Sequence, residues 1–209
     1  MCHCLFKACG AAKLEDSVAI LKSYLAEQQL SVDKCAAVVV LLEAVLSLQF
    51  QLNSQYRPTK EELSSMDALV THGHPGGMLL VSNLLRDGVG VEKNAAASLD
   101  WLRKSAELRY VPALHELADL HEKGCSDGAT SIEADWGEAV HLYKIAASAG
   151  YAASQLNLGK LWLEASQEAA ANHLCSTEEV EDMMKSARQW LSEAAKNGSS
   201  EAKSLRERL

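Results

Sequence analysis

Apolar residues recur with a helical period along most of the chain. Leu14, Val18, Leu21 and Leu25 are separated by four, three and four residues, which places them on one stripe of a helix. The segment 36–48 is apolar nearly throughout, with Glu43 as its one charge, and is too short for the roughly 20 residues that span a bilayer. We interpret it as a buried helix and predict an all-α chain without a transmembrane segment.

The helical pattern repeats from about residue 77 onward. Similar starts fall at Gly77, Ala113, Ser154 and Ala202, and each of the first three is followed by a helix, a loop and a second helix. In the first helix of each unit a small residue follows the second apolar position, at Ser82, Ala118 and Gly159. Small side chains at that place predict a close approach between two helices.

Start and stop signals separate the helices. Asn94 and Asp135 are good N-cap residues before the second helices of the first two units. Ser176 and Glu179 have the spacing of a capping box in the third unit. Gly150 and Gly198 follow the second helices, where glycine can adopt the positive φ that ends a helix.

This pattern resembles the Sel1-like repeat family, which is related to the tetratricopeptide repeats. The resemblance is carried by Gly88-Val-Gly90-Val91, by Trp101-Leu102-Arg-Lys104-Ser105-Ala106 and by Leu158-Gly159. It implies a right-handed α-solenoid of stacked antiparallel helix pairs. Two departures are a longer loop at 125–131 and an insert around 166–181.

The repeat pattern divides the chain into six parts. They are a flexible Cys-rich tail (1–13), N-terminal helices that include a degenerate repeat (14–76), three repeats (77–112, 113–153, and 154–201 with its insert) and a capping segment (202–209).

The composition of the chain argues against a nucleic-acid-binding protein and against a disordered one. The 28 acidic and 20 basic side chains give a net charge of −8, which argues against binding nucleic acid through phosphate contacts. Hydrophobic residues make up 48% of the chain, too many for a disordered protein. We expect no secretory signal, because residues 1–16 lack a continuous apolar run, and three of the six cysteines lie in the first nine residues rather than in a disulfide framework. We therefore expect a cytoplasmic protein, with a mitochondrial location as the alternative.

The N-terminal residues Cys2, His3, Cys4 and Cys9 form a cluster of soft metal ligands. Their spacing is not that of the usual C-x₂-C pair, so we expect incidental thiols in a tail and no cofactor. A metal or haem site and palmitoylation are the alternatives.

Two segments resemble catalytic or phosphate-binding motifs, but their residues do not have the spacing that those motifs require. His115 and His121 are six residues apart, about 240° around a helix, so a regular helix cannot direct both at one ion. The glycines of Gly88-Val-Gly90 are not followed by the Lys-Ser/Thr of a phosphate loop. We predict that the protein is not an enzyme.

The favoured function is a protein–protein interaction scaffold or adaptor, within a larger complex, that binds a protein or peptide on a solenoid surface. The alternative is an accessory subunit or assembly factor of an organellar, mitochondrial complex that carries a metal or haem through the N-terminal Cys/His cluster.

The resemblance also implies which residues meet the partner. In tetratricopeptide relatives the first helix of each pair lines the concave face. That register assigns partner binding to Leu79, Asn83 and Arg86 in the first repeat, to His115, Asp119 and Glu122 in the second, and to Leu156, Lys160 and Leu163 in the third. Exposed Leu156 and Leu163 would form an apolar contact strip; the alternative is that both leucines pack under 166–181.

Overall fold

A computed structural model describes Val70 and residues 73–89, 91–127 and 130–209 of the chain. This described part is predominantly helical. Its elements are α1 (Pro75–Asp87), α2 (Ala95–Glu107), α3 (Val111–Lys123), β1 (Cys125–Asp127), β2 (Thr130–Ile132), α4 (Trp136–Ser148), α5 (Ala152–Ala171), α6 (Thr177–Lys196) and α7 (Ser200–Arg206). The predicted all-α repeat fold is confirmed. None of these helices has the length and apolar content needed to cross a membrane.

The chain divides into two compact units, 1–101 and 102–209. In the described part of the first unit, the Ser82 hydroxyl of α1 donates to the Ser98 carbonyl of α2 at 2.8 Å. Asn94 accepts a hydrogen bond from the Ala97 amide, as expected of the N-cap that begins α2. Leu80, Leu84 and Val89 form the local apolar cluster.

The second unit is a succession of helices in which α3 packs on α4, α4 on α5, α5 on α6, and α6 on α7. Short connections make successive helices antiparallel. The sides that face each other carry small and branched apolar residues. Those with no more than 2% exposed surface include Ala113, Ala118, Ala139, Ala147, Leu158, Ala187 and Leu191.

The helix boundaries follow the predicted local chemistry. The Asp135 carboxylate accepts from the Glu138 amide at the start of α4. Ser176 and Glu179 form the complete capping box at the start of α6. Gly150 and Gly198 take positive φ values of 86° and 97° after α4 and α6.

Gly159 lies at the closest contact between α5 and α6. A Cβ built there would stand 2.6 Å from Leu191 Cγ and 2.7 Å from Leu191 Cδ2, well inside ordinary contact. Only glycine therefore lets the two helices meet at this distance, as the sequence pattern predicted.

Both predicted departures from the repeat are present in the structure. β1 and β2 pair as an antiparallel hairpin in the longer connection between α3 and α4, with Cys125 opposite Ile132. The insert at 166–181 is mostly helical: α5 and α6 each have 20 residues, where α3 and α4 have 13. Seven extra residues lengthen each helix by about 10 Å.

Three predicted features lie outside the described residues: the Cys-rich tail at 1–13, the stripe from Leu14 to Leu25, and the apolar segment 36–48.

Candidate functional surface

A polar cluster forms where α3, α4 and α5 meet in the second unit. The Tyr143 hydroxyl of α4 lies 2.7 Å from Asp119 Oδ1 and 2.6 Å from Glu122 Oε2 of α3. The Asn157 amide of α5 donates to the phenolic oxygen at 2.9 Å and lies 3.3 Å from Asp119 Oδ1. The single phenolic proton is therefore shared between two carboxylate acceptors. The hydroxyl group joins three helices, α3, α4 and α5.

The helical spacing of α3 produces this arrangement. His115, Asp119 and Glu122 are separated by four and three residues, so they lie on one stripe of the helix. Tyr143 lies opposite, with no exposed surface. A buried tyrosine needs a partner for its hydroxyl, and the two carboxylates supply it.

His115 extends the contact between α3 and α5. Its Nδ1 lies 3.0 Å from the Ser154 hydroxyl, and its ring lies 5.5 Å from that of Tyr143 and 5.2 Å from that of Tyr151. A histidine beside a serine is also a feature of nucleophilic sites. Here Ser154 has no exposed surface, so a substrate cannot reach its oxygen in this arrangement. The pair joins two helices.

Burial and hydrogen bonding set the charge states in the cluster. Burial, then the Glu122 and Asp119 carboxylates, raise the pKa of Tyr143 far above its usual value, so the phenol keeps its proton. Burial opposes ionisation of Asp119, but hydrogen bonds from Lys123 and Tyr143 outweigh it and hold the pKa of Asp119 below its usual value. Burial also lowers the pKa of His115, which favours the neutral ring at neutral pH.

A further polar contact connects α5 to α7. Lys160 forms an ion pair with Glu201 at 2.6 Å, and both side chains are substantially exposed. On α3, the Lys123 ammonium pairs with Asp119 and is itself largely exposed. We call this side of the second unit, built from Asp119, Glu122, Lys123, Asn157 and Lys160, the first-helix face.

The predicted partner-binding residues of the second repeat come together in this face, and Lys160 joins them from the third. In the first unit, Arg86 is exposed and pairs with Asp87 at 3.0 Å. Asn83 is partly buried, and its Oδ1 is shielded from solvent without a hydrogen bond among the described residues.

The expectation that the three predicted leucines face outward is wrong for two of them. Leu79 is 1% exposed, because α1 is covered over more than one stripe and Leu80 beside it is buried as well. Leu156 packs against the cluster of Leu191, Ala194 and Ala202, from α6 and α7, which is not the predicted cover at 166–181. Leu163 is partly buried, so the open apolar strip does not form.

Sequence reasoning missed Tyr143, Ser154 and Asn157. The repeat pattern does not assign a partner to the Tyr143 hydroxyl. The available signal was the requirement that a buried phenol find an acceptor on the facing helix. Asn157 carries no such signal, because its role depends on the register of α5 against α3.

The residues that the structure describes contain no group of three His, Cys, Asp or Glu side chains arranged to share a metal ion. Cys2, His3, Cys4 and Cys9, the candidate ligands, lie outside the described residues.

Comparison with known proteins shows that these helices are similar to Sel1 repeats. The family model of the Sel1 repeat matches residues 75–110, 111–151 and 181–199. The crystal structure of a Sel1 repeat protein from Oxalobacter formigenes is similar with a TM-score of 0.56 and 20% identity, over 71% of this chain and 98% of that one. A protective antigen from uropathogenic Escherichia coli strains, which displays an SLR fold, is similar with a TM-score of 0.58 and 19% identity. That match covers 90% of this chain and 34% of the antigen. At these identities the likeness shows the fold.

Proposed function

Because this chain carries three Sel1 repeats, we propose that it is a non-enzymatic scaffold whose protein partner binds the first-helix face. Sel1 repeats generally mediate protein–protein interactions, and repeat arrays present extended surfaces for that purpose. The observation that carries the proposal is the convergence of α3, α4 and α5 on one partly exposed polar cluster.

The electrostatics of this face favour a polar or charged segment as its ligand. Asp119 and Glu122 offer carboxylate oxygens, while Lys123 and Lys160 supply exposed ammonium groups with side-chain exposures of 65% and 37%. Their mutual hydrogen bonds hold the groups in place before a partner arrives. Such preorganisation reduces the entropy lost on binding.

Reversing one charge on this face tests the proposal. Lys160→Glu removes the ion pair with Glu201 and places two like charges together, so we expect partner recovery from cell extract to fall at least tenfold. Lys196→Glu is the matched control, because it breaks the comparable Lys196–Glu193 pair on α6, away from this face. Quantitative affinity capture measures how much partner each folded variant recovers relative to wild type. Equal recovery by Lys160→Glu and wild type would contradict the assignment.

The metal- or haem-carrying accessory subunit is the other candidate role. It depends on Cys2, His3, Cys4 and Cys9, which lie outside the described residues, and no described contact favours it. Metal analysis of the purified chain and of a Cys2→Ser/Cys4→Ser variant distinguishes the two roles, because only the accessory role requires stoichiometric metal that the variant loses.

A further inference from the structure

The two departures from the repeat lie at the same end of the second unit. The hairpin segment connects α3 to α4, so it lies beside Trp136, the first residue of α4. A three-residue connection turns α4 back into α5, and the 13 residues of α4 therefore run alongside the first 13 of α5. The remaining part of α5 extends past Trp136, on the side where the hairpin lies. We call residues 132–136 and 164–185 the insertion end.

Exposed apolar side chains are concentrated at this end. Three large hydrophobic residues are exposed in the described part of the chain: Leu108, Trp136 and Leu174. Trp136 is 47% exposed at the start of α4, and Leu174 is 68% exposed in the loop between α5 and α6. Neither is needed to start or end a helix, since Asp135 and Ser176 perform the capping. Tryptophan is also among the residues most enriched in the binding hot spots of interfaces.

The segment that contains Leu174 is predominantly acidic. Residues 164–185 contain six acidic side chains, all exposed, and Lys185 as the one lysine or arginine. The acidic residues are Glu164, Glu168, Glu178, Glu179, Glu181 and Asp182. Lys185 pairs with Asp182 at 2.9 Å, which leaves the rest of the surface strongly negative.

From this geometry we propose that the insertion end is a second docking surface, which binds a basic segment of a partner protein with apolar side chains between its lysines or arginines. Trp136 and Leu174 contact the apolar side chains, and the surrounding carboxylates attract the cationic ones. Charge complementarity of this kind accelerates association and excludes acidic partners. The same charge disfavours nucleic acids and anionic membranes.

The lengths of α5 and α6 support a separate role for this end. The added turns pack on each other, with the Ser166 hydroxyl 3.1 Å from Met184 Sδ and Ala169 buried at 5% exposure. They therefore form a supported helical hairpin that presents Leu174 at its tip. This surface shares no residue with the first-helix face, although Lys123 of that face lies directly before the hairpin segment.

A labelled peptide of alternating lysine and leucine serves as the probe, with the full chain and fluorescence anisotropy as the readout. Neutralising Glu164, Glu168 and Glu181 to glutamine is expected to weaken binding at least tenfold. Neutralising Glu92, Glu107 and Glu207, three exposed acids elsewhere, removes the same charge and is expected to change affinity less than threefold. Trp136→Ser/Leu174→Ser should weaken the lysine–leucine peptide but not a lysine–serine peptide.

Equal losses in the two triple variants would overturn the proposal, because they would indicate attraction by net charge alone. Loss of a wild-type dimer in Trp136→Ser/Leu174→Ser, measured by light scattering, would also overturn it by identifying a second copy as the occupant. Lys160→Glu should not weaken peptide binding, because it adds negative charge one turn from Glu164, so the failure of this surface and that of the first-helix face are separable.

Discussion

Replacing Tyr143 by alanine is expected to lower the free energy of unfolding by about 3–5 kcal/mol. The side chain has no exposed surface, and its hydroxyl joins Asp119 and Glu122 of α3 to Asn157 of α5. The substitution therefore creates a cavity and leaves partly buried polar groups without their shared partner. Urea denaturation followed by circular dichroism measures the loss.

Two further variants separate the contributions. Tyr143→Phe keeps the ring and removes the hydroxyl, so it is expected to cost about 1.5–3 kcal/mol, the range for hydrogen bonds to charged groups. Trp136→Ala truncates an exposed aromatic residue on the same helix and should cost less than about 1 kcal/mol. A loss below 1 kcal/mol for Tyr143→Ala would show that the phenol does not join the three helices.

Gly159→Val is expected to destabilise the second unit by about 1–3 kcal/mol. Even a Cβ at this position would lie 2.6 Å from Leu191 Cγ and 3.3 Å from the Leu191 amide nitrogen, so α5 and α6 must separate. The gain in helix propensity over glycine is only a few tenths of a kcal/mol and does not offset the clash. Thermal and urea unfolding of the variant provide the measurement.

A double-mutant cycle tests whether the destabilisation by Gly159→Val arises from the contact with Leu191. In a Leu191→Ala background the valine gains space, so the added cost of Gly159→Val should shrink. Gly137→Val is the control, because a Cβ there meets only the Asp135 carboxylate, at 3.3 Å. An undiminished cost in the Leu191→Ala background would mean that the clash is not with Leu191.

Local signals in the sequence were sufficient to predict where α2, α4 and α6 begin. Asn94, Asp135 and the Ser176–Glu179 pair each act within three residues along the chain, so their chemistry can be recognised without a fold. Gly159 was predictable for a related reason, since its place in the repeat marks where two helices meet.

Features that depend on packing between distant residues were predicted less well. Leu79 lies between the core positions of its helix, and the helical pattern alone does not reveal that α1 is covered on more than one stripe. Leu156 was assigned to a surface but packs against a cluster of Leu191, Ala194 and Ala202, which lie at least 35 residues further along the chain. The insert at 166–181 could be located in the sequence, but not its conversion into longer helices.

The candidate surface was predicted in part. Helical spacing placed His115, Asp119 and Glu122 on one stripe, and the resemblance suggested that this stripe faces a partner. Tyr143 and Asn157 were missed because their hydrogen bonds connect residues 14 to 38 positions apart. Such contacts depend on the register between helices, which neither periodicity nor capping specifies.

Site-specific photo-cross-linking tests the central claim most directly. A benzophenone amino acid replaces Lys123 or Lys160 on the first-helix face, and Gln189 or Lys196 on the exposed side of α6 serves as the control. The account predicts one partner protein that is covalently captured from positions 123 and 160 and is absent at 189 and 196. Capture of the same partner mainly from positions 189 and 196 would contradict it.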